Sequence, residues 1–230
     1  MKRAVLDALL RARRANRPAA LVTDLASGEQ WLFEPGADLP LGLGEDALPA
    51  IRAALRADRA GPLALAGREL FVNVWNPPLR LIVVGAVHIA QPLVRAARLA
   101  GFEVVVIDPR HAFAADVRFP DVEVSTHWPD EALTALAPDA RCAIVALTHD
   151  PKLDDPALAF ALRSEAFYIG ALGSRKTHAK RIERLREHGF SNEEMARIRG
   201  PVGLAIGAQT PAEIAISILA EVIQQLRQPT

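Results

Sequence analysis

The sequence predicts an α/β protein: a Rossmann-like, doubly wound parallel sheet in the carboxy-terminal two-thirds, preceded by a small α/β domain. Three observations predict it. Beyond Pro78, apolar runs of strand length alternate with segments of helical spacing. The first run, Leu79 to Val84, is apolar but for Arg80, as suits a strand buried on both faces. It leads into Gly85-Ala86-Val87-His88-Ile89-Ala90, close to the G-x-G-x-x-G/A turn that opens a dinucleotide-binding crevice.

The prolines of Asn76-Pro77-Pro78 continue neither a helix nor a central strand, so they separate a domain at 1–76 from one at 79–230. In the first, residues 2–15 read as an amphipathic helix. Ala19 to Asp24 and Gln30 to Phe33 read as strands around the turn Ala26-Ser27-Gly28. Glu45 to Asp58 reads as a helix with Leu48, Ile51 and Leu55 on one face, and Leu70 to Trp75 as a strand.

In the second, strands are expected at Leu79 to Val84, Glu103 to Ile107, Val122 to Val124, Cys142 to Leu147, Phe167 to Ala171 and Val202 to Ile206. Helices are expected at Gln91 to Ala100, Asp130 to Leu136, Pro156 to Arg163, Lys176 to Glu187 and Pro211 to Gln225. Ser191 to Glu194 and Thr210 to Glu213 both match the capping box, and Pro211 suits a first helical position.

Half of the 230 residues are hydrophobic, enough for a substantial core. Lys plus Arg equals Asp plus Glu, 27 each, which argues against non-specific nucleic-acid binding as the main activity. Cys142 is the one cysteine and cannot form an intrachain disulfide; it reads as a small core residue of a buried strand. Met1 to Arg17 lacks the long apolar stretch of a secretory signal, and no run approaches the roughly 18 apolar residues of a membrane span. A cytoplasmic protein with neither a membrane nor a nucleic acid as partner is expected.

Four loops should open onto the crevice. In the first, Gly85 and Ala86 allow a tight turn, but Val87 replaces the glycine over which a pyrophosphate passes. His88 stands at the helix start, either against a ligand or as a capping or packing residue. Asp108 ends the second strand, where an acid commonly holds a ribose hydroxyl. Half the NAD(P) fingerprint is therefore present.

After the fourth strand, His149 and Asp150 lie with Lys152, Asp154 and Asp155 in a loop suited to a polar ligand or a metal; alternatively, Asp154 or Asp155 caps the next helix. After the fifth, Gly173, Ser174, Arg175 and Lys176 combine a flexible backbone, an N-cap and positive charge at a helix start, an anion-site pattern. Lys180, Arg181, Arg184 and Arg186 read as a solvated face. Gly200 to Pro211, with Gly207, offers backbone donors or merely tight turns. No P-loop, H-E-x-x-H or G-x-S-x-G motif occurs, and no catalytic residue is assigned.

Four stretches together resemble the XdhC/CoxI family of accessory factors for xanthine dehydrogenase and related molybdenum hydroxylases. They are Leu81 to Ala90, Thr148-His149-Asp150, Tyr168 to Lys176, and Gly203 to Ala215. The resemblance spans residues 79–226 and departs at Val87, where the family commonly has glycine. The family's cysteine-bearing, glycine-rich amino-terminal stretch has no counterpart at Leu41 to Glu45.

The resemblance implies a chaperone that binds molybdenum cofactor (molybdopterin) as cargo. It would assist sulfuration and deliver the cofactor to the large subunit of a molybdenum hydroxylase, with a cysteine desulfurase-type sulfur donor as a further partner. The implied cofactor-binding residues are Gly85, Ala86, His88, Asp108, His149, Asp150, Gly173, Ser174, Arg175, Lys176 and Gly207. The alternatives are a nucleotide-binding assembly subunit and an NAD(P)-dependent oxidoreductase. Because so small an amino-terminal segment needs support, a homodimer is expected.

Overall fold

A computed structural model describes residues 2–110 and 118–228. The chain divides into two compact units, residues 1–77 and 78–230.

The first unit holds α1 (Arg3–Arg14), β1 (Ala19–Asp24), β2 (Gln30–Phe33), a 3-10 turn (Glu45–Ala47), α2 (Leu48–Ala57), β3 (Gly61–Leu65) and β4 (Arg68–Trp75). The strands form an antiparallel sheet in the order β2-β1-β4-β3. Ile51 and Leu55 of α2 cover its Trp31, Phe33, Leu70 and Val72. On α1, Leu9 and Ala12 pack with Ala19, Leu32 and Trp75.

Strand β3 has no counterpart in the sequence reading, which also begins β4 too late. The signal lies at Ala66 and Gly67, both with positive φ, which form the two-residue turn of a β3–β4 hairpin. Alanine rarely adopts that conformation, so Ala66-Gly67 does not announce a hairpin as Asn-Gly would.

The second unit holds β5 (Arg80–Val84), α3 (Ala90–Leu99), β6 (Glu103–Ile107), β7 (Glu123–Ser125), α4 (Pro129–Leu136), β8 (Cys142–Ala146), α5 (Pro151–Arg163), β9 (Tyr168–Ala171), α6 (Arg175–Glu187), α7 (Asn192–Met195), β10 (Ile198–Arg199) and α8 (Pro211–Arg227). The sheet is parallel in the order β10-β9-β8-β5-β6-β7. Counted along the second unit, that is 3-2-1-4-5-6, the Rossmann order, with the topological switch point between β5 and β8.

Alternate residues of β5 face opposite layers. Leu81 and Val83 join a core with Leu93 and Val94 of α3 and Ile218 and Val222 of α8. Ile82 and Val84 join one with Leu133 of α4, Leu158 of α5 and Leu185 of α6. Helices thus cover both faces, as the continuous apolar strands required.

Three expectations need correction. Helix α5 starts at Pro151, five residues before the predicted Pro156. Asp150 is its N-cap, accepting a hydrogen bond from Lys152 N at 3.0 Å, and Pro151 takes the first helical position. Pro156 therefore lies inside the helix. It supplies no N–H to the carbonyl of Lys152, an exposed residue. Asp154 and Asp155 consequently do not cap.

The sixth strand is Ile198–Arg199, beside β9, and not Val202 to Ile206. Gly203 has φ +96 and lies against α8, where an added Cβ would come 2.5 Å from Ser217 Oγ, so the chain bends onto the helix. Gly203 N also donates to Glu221 Oε2 at 2.8 Å.

Both predicted capping boxes are present, Ser191 with Glu194 and Thr210 with Glu213.

Candidate functional site

Parallel strands bring the loops after β5, β6, β8 and β9 to one edge of the sheet. At the switch point, Gly85 has φ +111, and an added Cβ would meet Thr148 Cγ2 at 2.5 Å. The loops after β5 and β8 can therefore approach only because position 85 lacks a side chain. Ala86 is buried behind Gly85, and Val87 packs partly into the α3–α8 core. His88 is exposed in the turn before α3; that helix has Ile89 as N-cap, without a side-chain capping bond. The capping alternative for His88 is not realised.

Asp108 is fully buried. Its Oδ2 accepts from Ala86 N at 2.8 Å and from Arg110 Nη2 at 2.8 Å. Its Oδ1 accepts from Arg110 N at 3.0 Å and Arg110 Nε at 2.8 Å. Burial raises the carboxyl pKa, but these bonds outweigh it and hold the group below the usual carboxylate range. Four N–H donors already occupy the carboxylate that would accept from a ribose diol. One of them is an amide of the loop over which a pyrophosphate would pass. Asp108 here ties the first loop to β6, and the oxidoreductase alternative loses its main support.

The loop after β8 is organised by Asp154, which is 1 % exposed. Its Oδ1 accepts from Thr148 Oγ1 at 2.6 Å, and its Oδ2 from His149 N at 3.1 Å. Arg181 Nη2, from α6, reaches the same Oδ2 at 3.3 Å and the carbonyl of Leu172 at 2.9 Å. One buried ion pair thus joins the loops after β8 and β9. Burial raises the Asp154 pKa against the hydrogen bonds from Thr148 and the charge of Arg181. His149 is exposed, with φ +64, an uncommon conformation for a residue with a side chain. Asp150 is half-buried and committed as the N-cap of α5.

After β9, Gly173 has φ +145, and an added Cβ would press on Thr177 at 3.1 Å. Ser174 caps α6, its Oγ accepting from Thr177 N at 3.1 Å. Arg175 and Lys176 are exposed in the first turn, which contains no acidic residue. That arrangement offers free helix N–H groups and two cations on one rim, which suits an anion. Gly207 lies in the exposed loop before α8. Among the described residues, no hydrogen bond joins it to the loops after β5, β8 or β9.

Two arginines bordering the site escape the sequence reading. Arg181 and Arg184 read as a solvated face, yet Arg181 is 1 % exposed and Arg184 pairs with Asp155 of α5, Nη2 to Oδ1 at 2.9 Å. Helical periodicity would have flagged Arg181: it lies four residues before the buried Leu185, on the face α6 turns inward. Among the described residues, no helix is long and apolar enough to cross a membrane. No group of three or more His, Cys, Asp or Glu among them is placed to hold a metal ion.

Residues 81–222 match the XdhC Rossmann domain. The chain is 35% identical over 157 residues to a Bacillus subtilis protein named as a probable xanthine dehydrogenase subunit, covering 68% of this chain and 46% of that protein. It is 32% identical over 148 residues to the molybdenum cofactor insertion chaperone PaoD of Escherichia coli, covering 64% and 40%. It is also 32% identical over 168 residues to the uncharacterized Escherichia coli protein YqeB, covering 73% and 31%. The chain therefore spans less than half the length of these curated relatives. A crystal structure of a xanthine dehydrogenase from Bacillus halodurans superposes with a TM-score of 0.68 at 28% identity, over 99% of this chain and 64% of that one. With a Rossmann strand order and a family match over well over half its length, this chain belongs to the XdhC family.

Proposed function

We propose that this chain binds molybdenum cofactor as cargo and hands it to a molybdenum hydroxylase of the xanthine dehydrogenase type, without turnover of its own. The observation that carries the reading is the state of the crevice. It keeps the Rossmann switch point, but the acid that would hold a ribose is consumed internally by Ala86 and Arg110. A crevice of that fold in the XdhC family suits a phosphorylated ligand other than NAD(P). One relative is named a molybdenum cofactor insertion chaperone, and another carries a xanthine dehydrogenase name, which supports the pterin cofactor as that ligand.

In this reading the phosphorylated end of the cofactor lies at Gly173, Ser174, Arg175 and Lys176, where helix amides and two cations meet. Gly85, Ala86 and His88 form the opposite lip, with His149 and Asp150 between. Delivery to the large subunit, assistance in sulfuration by a cysteine desulfurase-type donor, a homodimeric state and a cytoplasmic location belong to the same proposal. The sulfur cannot be carried on Cys142, which is buried in β8.

The test is to purify the chain from cells that make the cofactor, release bound pterin by acid oxidation and measure its fluorescence. NAD and NADP are titrated in parallel by calorimetry. Copurifying pterin that falls in an Arg175→Ala, Lys176→Ala variant is the expected result. Nicotinamide binding without pterin overturns the proposal. Size-exclusion chromatography with light scattering reads the oligomeric state.

A further inference from the structure

The outward face of α8 differs from that of α6 in the opposite layer. Helix α6 turns Lys176, Lys180, Glu183 and Glu187 to solvent, as a solvated helix does. Helix α8 instead exposes Ile216 and Ile223, 57% and 37% accessible, on the side away from its buried Ala215, Ile218 and Val222. β-Branched apolar residues serve neither helix propensity nor solvation at such positions. We infer that this face is a contact between two copies of the chain, packed antiparallel about a two-fold axis at Ala220. The contact deepens the homodimer of the proposed function and rests on that part of it alone; no bound cofactor is needed.

The spacing makes the face continuous. Glu213, Ile216, Ala220, Ile223 and Arg227 follow one another at intervals of three and four residues, so they form one line along the helix. All are exposed but Ala220, which is half-buried. The line runs nearly the length of α8, whose 17 residues span about 25 Å.

Self-complementarity selects a second copy as the occupant. A two-fold axis at Ala220 sets each residue opposite the one equally far beyond the axis. Ile216, four residues before Ala220, then meets Ile223, three residues after it. Glu213, seven before, meets Arg227, seven after. Each match occurs twice, as an isologous contact requires. The small Ala220 at the crossing lets the two helices approach closely. Glu213 accepts from Gln209 N and Thr210 N of its own cap, which fixes its charge at that end of the line. A parallel pairing would instead set Glu213 against Glu213 and Arg227 against Arg227, so the end charges select the antiparallel one. The isoleucines supply affinity, and the exposed end charges mainly fix direction. One helix face about 25 Å by 10 Å falls short of the roughly 800 Å² per partner of a standard interface, so the dimer should dissociate on dilution.

The test is light scattering and sedimentation of the full chain at about 1 to 100 µM. The parent should be dimeric at the upper end and dissociate toward the lower. Ile216→Lys and Ile223→Asp, each alone, should weaken dimerisation about tenfold or more, because each buries unpaired charge. Mixed in equal amounts, the two variants should dimerise more tightly than either alone. The introduced lysine and aspartate then face each other, and the second pair remains isoleucine on isoleucine. Ala220→Cys should give a disulfide-linked dimer under mild oxidation, Cys142 being buried. A parent that stays monomeric overturns both this contact and the homodimer. A dimer that both charged variants leave intact, a mixture no tighter than its components, or the absence of the cross-link overturns the contact alone. Copurifying pterin is measured separately and stands or falls apart from these results. Both isoleucines are exposed, so the variants should unfold at the parent's temperature when dilute; if either does not fold, the Ala220→Cys cross-link decides.

Discussion

Gly85 and Thr148 meet at the switch point of the sheet: a Cβ added to Gly85 would stand 2.5 Å from Thr148 Cγ2. The turn after β5 and the turn after β8 are closed on each other through that missing side chain. Gly85→Ala combines a backbone at φ +111 with a steric clash and should destabilise the protein by about 2–4 kcal/mol. Urea unfolding measures this. Adding Thr148→Ser removes the clashing methyl and should recover the steric part while the backbone strain persists. Full recovery would show that only the clash mattered.

Asp108 has its acceptors filled by Ala86 and Arg110. NAD and NADP should therefore give no calorimetric heat of binding at concentrations up to about 1 mM, the weak end of the affinity range. Micromolar binding of either would show that Arg110 swings away and that Asp108 can be reclaimed by a ribose.

The Asp154–Arg181 pair should behave as a buried ion pair. Arg181→Met leaves Asp154 charged and interior, and a loss of about 3–5 kcal/mol in denaturant unfolding is expected. Asp154→Asn in the same chain should restore part of that loss, because it removes the buried charge while the amide oxygen still accepts from Thr148 and only the bond from His149 N is given up. A double variant less stable than Arg181→Met would contradict the ion-pair reading.

Cys142 should be chemically silent. Burial pushes its thiol up to about 11, so little thiolate exists near neutral pH. Native protein should react with a disulfide reagent at about pH 8 only as fast as it unfolds, while urea-unfolded protein reacts at once. Rapid native reaction would reopen Cys142 as a sulfur carrier.

Asp24 supplies an acid-sensitive contact in the amino-terminal unit. Backbone N–H bonds from Ser27, the Arg68 side chain and the Ala26 N–H hold its carboxyl at about 2. A depressed folded-state pKa contributes stability above the unfolded value of about 3.9, and that stability is lost as pH falls toward 2. Thermal melts across that window should show a stability slope that shrinks in Asp24→Asn. An unchanged slope would assign acid sensitivity to other carboxylates.

The parts of the site legible in the sequence are those whose chemistry is local. Ser174, Ser191 and Thr210 cap helices through bonds spanning three residues, so their roles can be read from a few neighbours. Asp150 is equally local, yet the competing reading of Asp154 and Asp155 ahead of Pro156 hides it. The unpredicted β3 and the misplaced sixth strand have the same cause: Ala66 takes a turn conformation its residue type rarely adopts, and Gly203 bends where apolar neighbours suggest extension.

By itself, the sequence determined the α/β class, the apolar parallel strands, the crevice opening at Gly85 and the resemblance in four stretches. Periodicity and turn chemistry act over a few residues, and those features need nothing more. Only the tertiary structure decided which charged groups were free to meet a ligand. Asp108 was spent on Ala86 and Arg110, Asp154 was joined to Arg181 from 27 residues away, and Arg181 was turned inward with two nitrogens unpaired among the described residues. Ion pairing and desolvation depend on distances that chain folding sets between remote residues, and no local pattern encodes them.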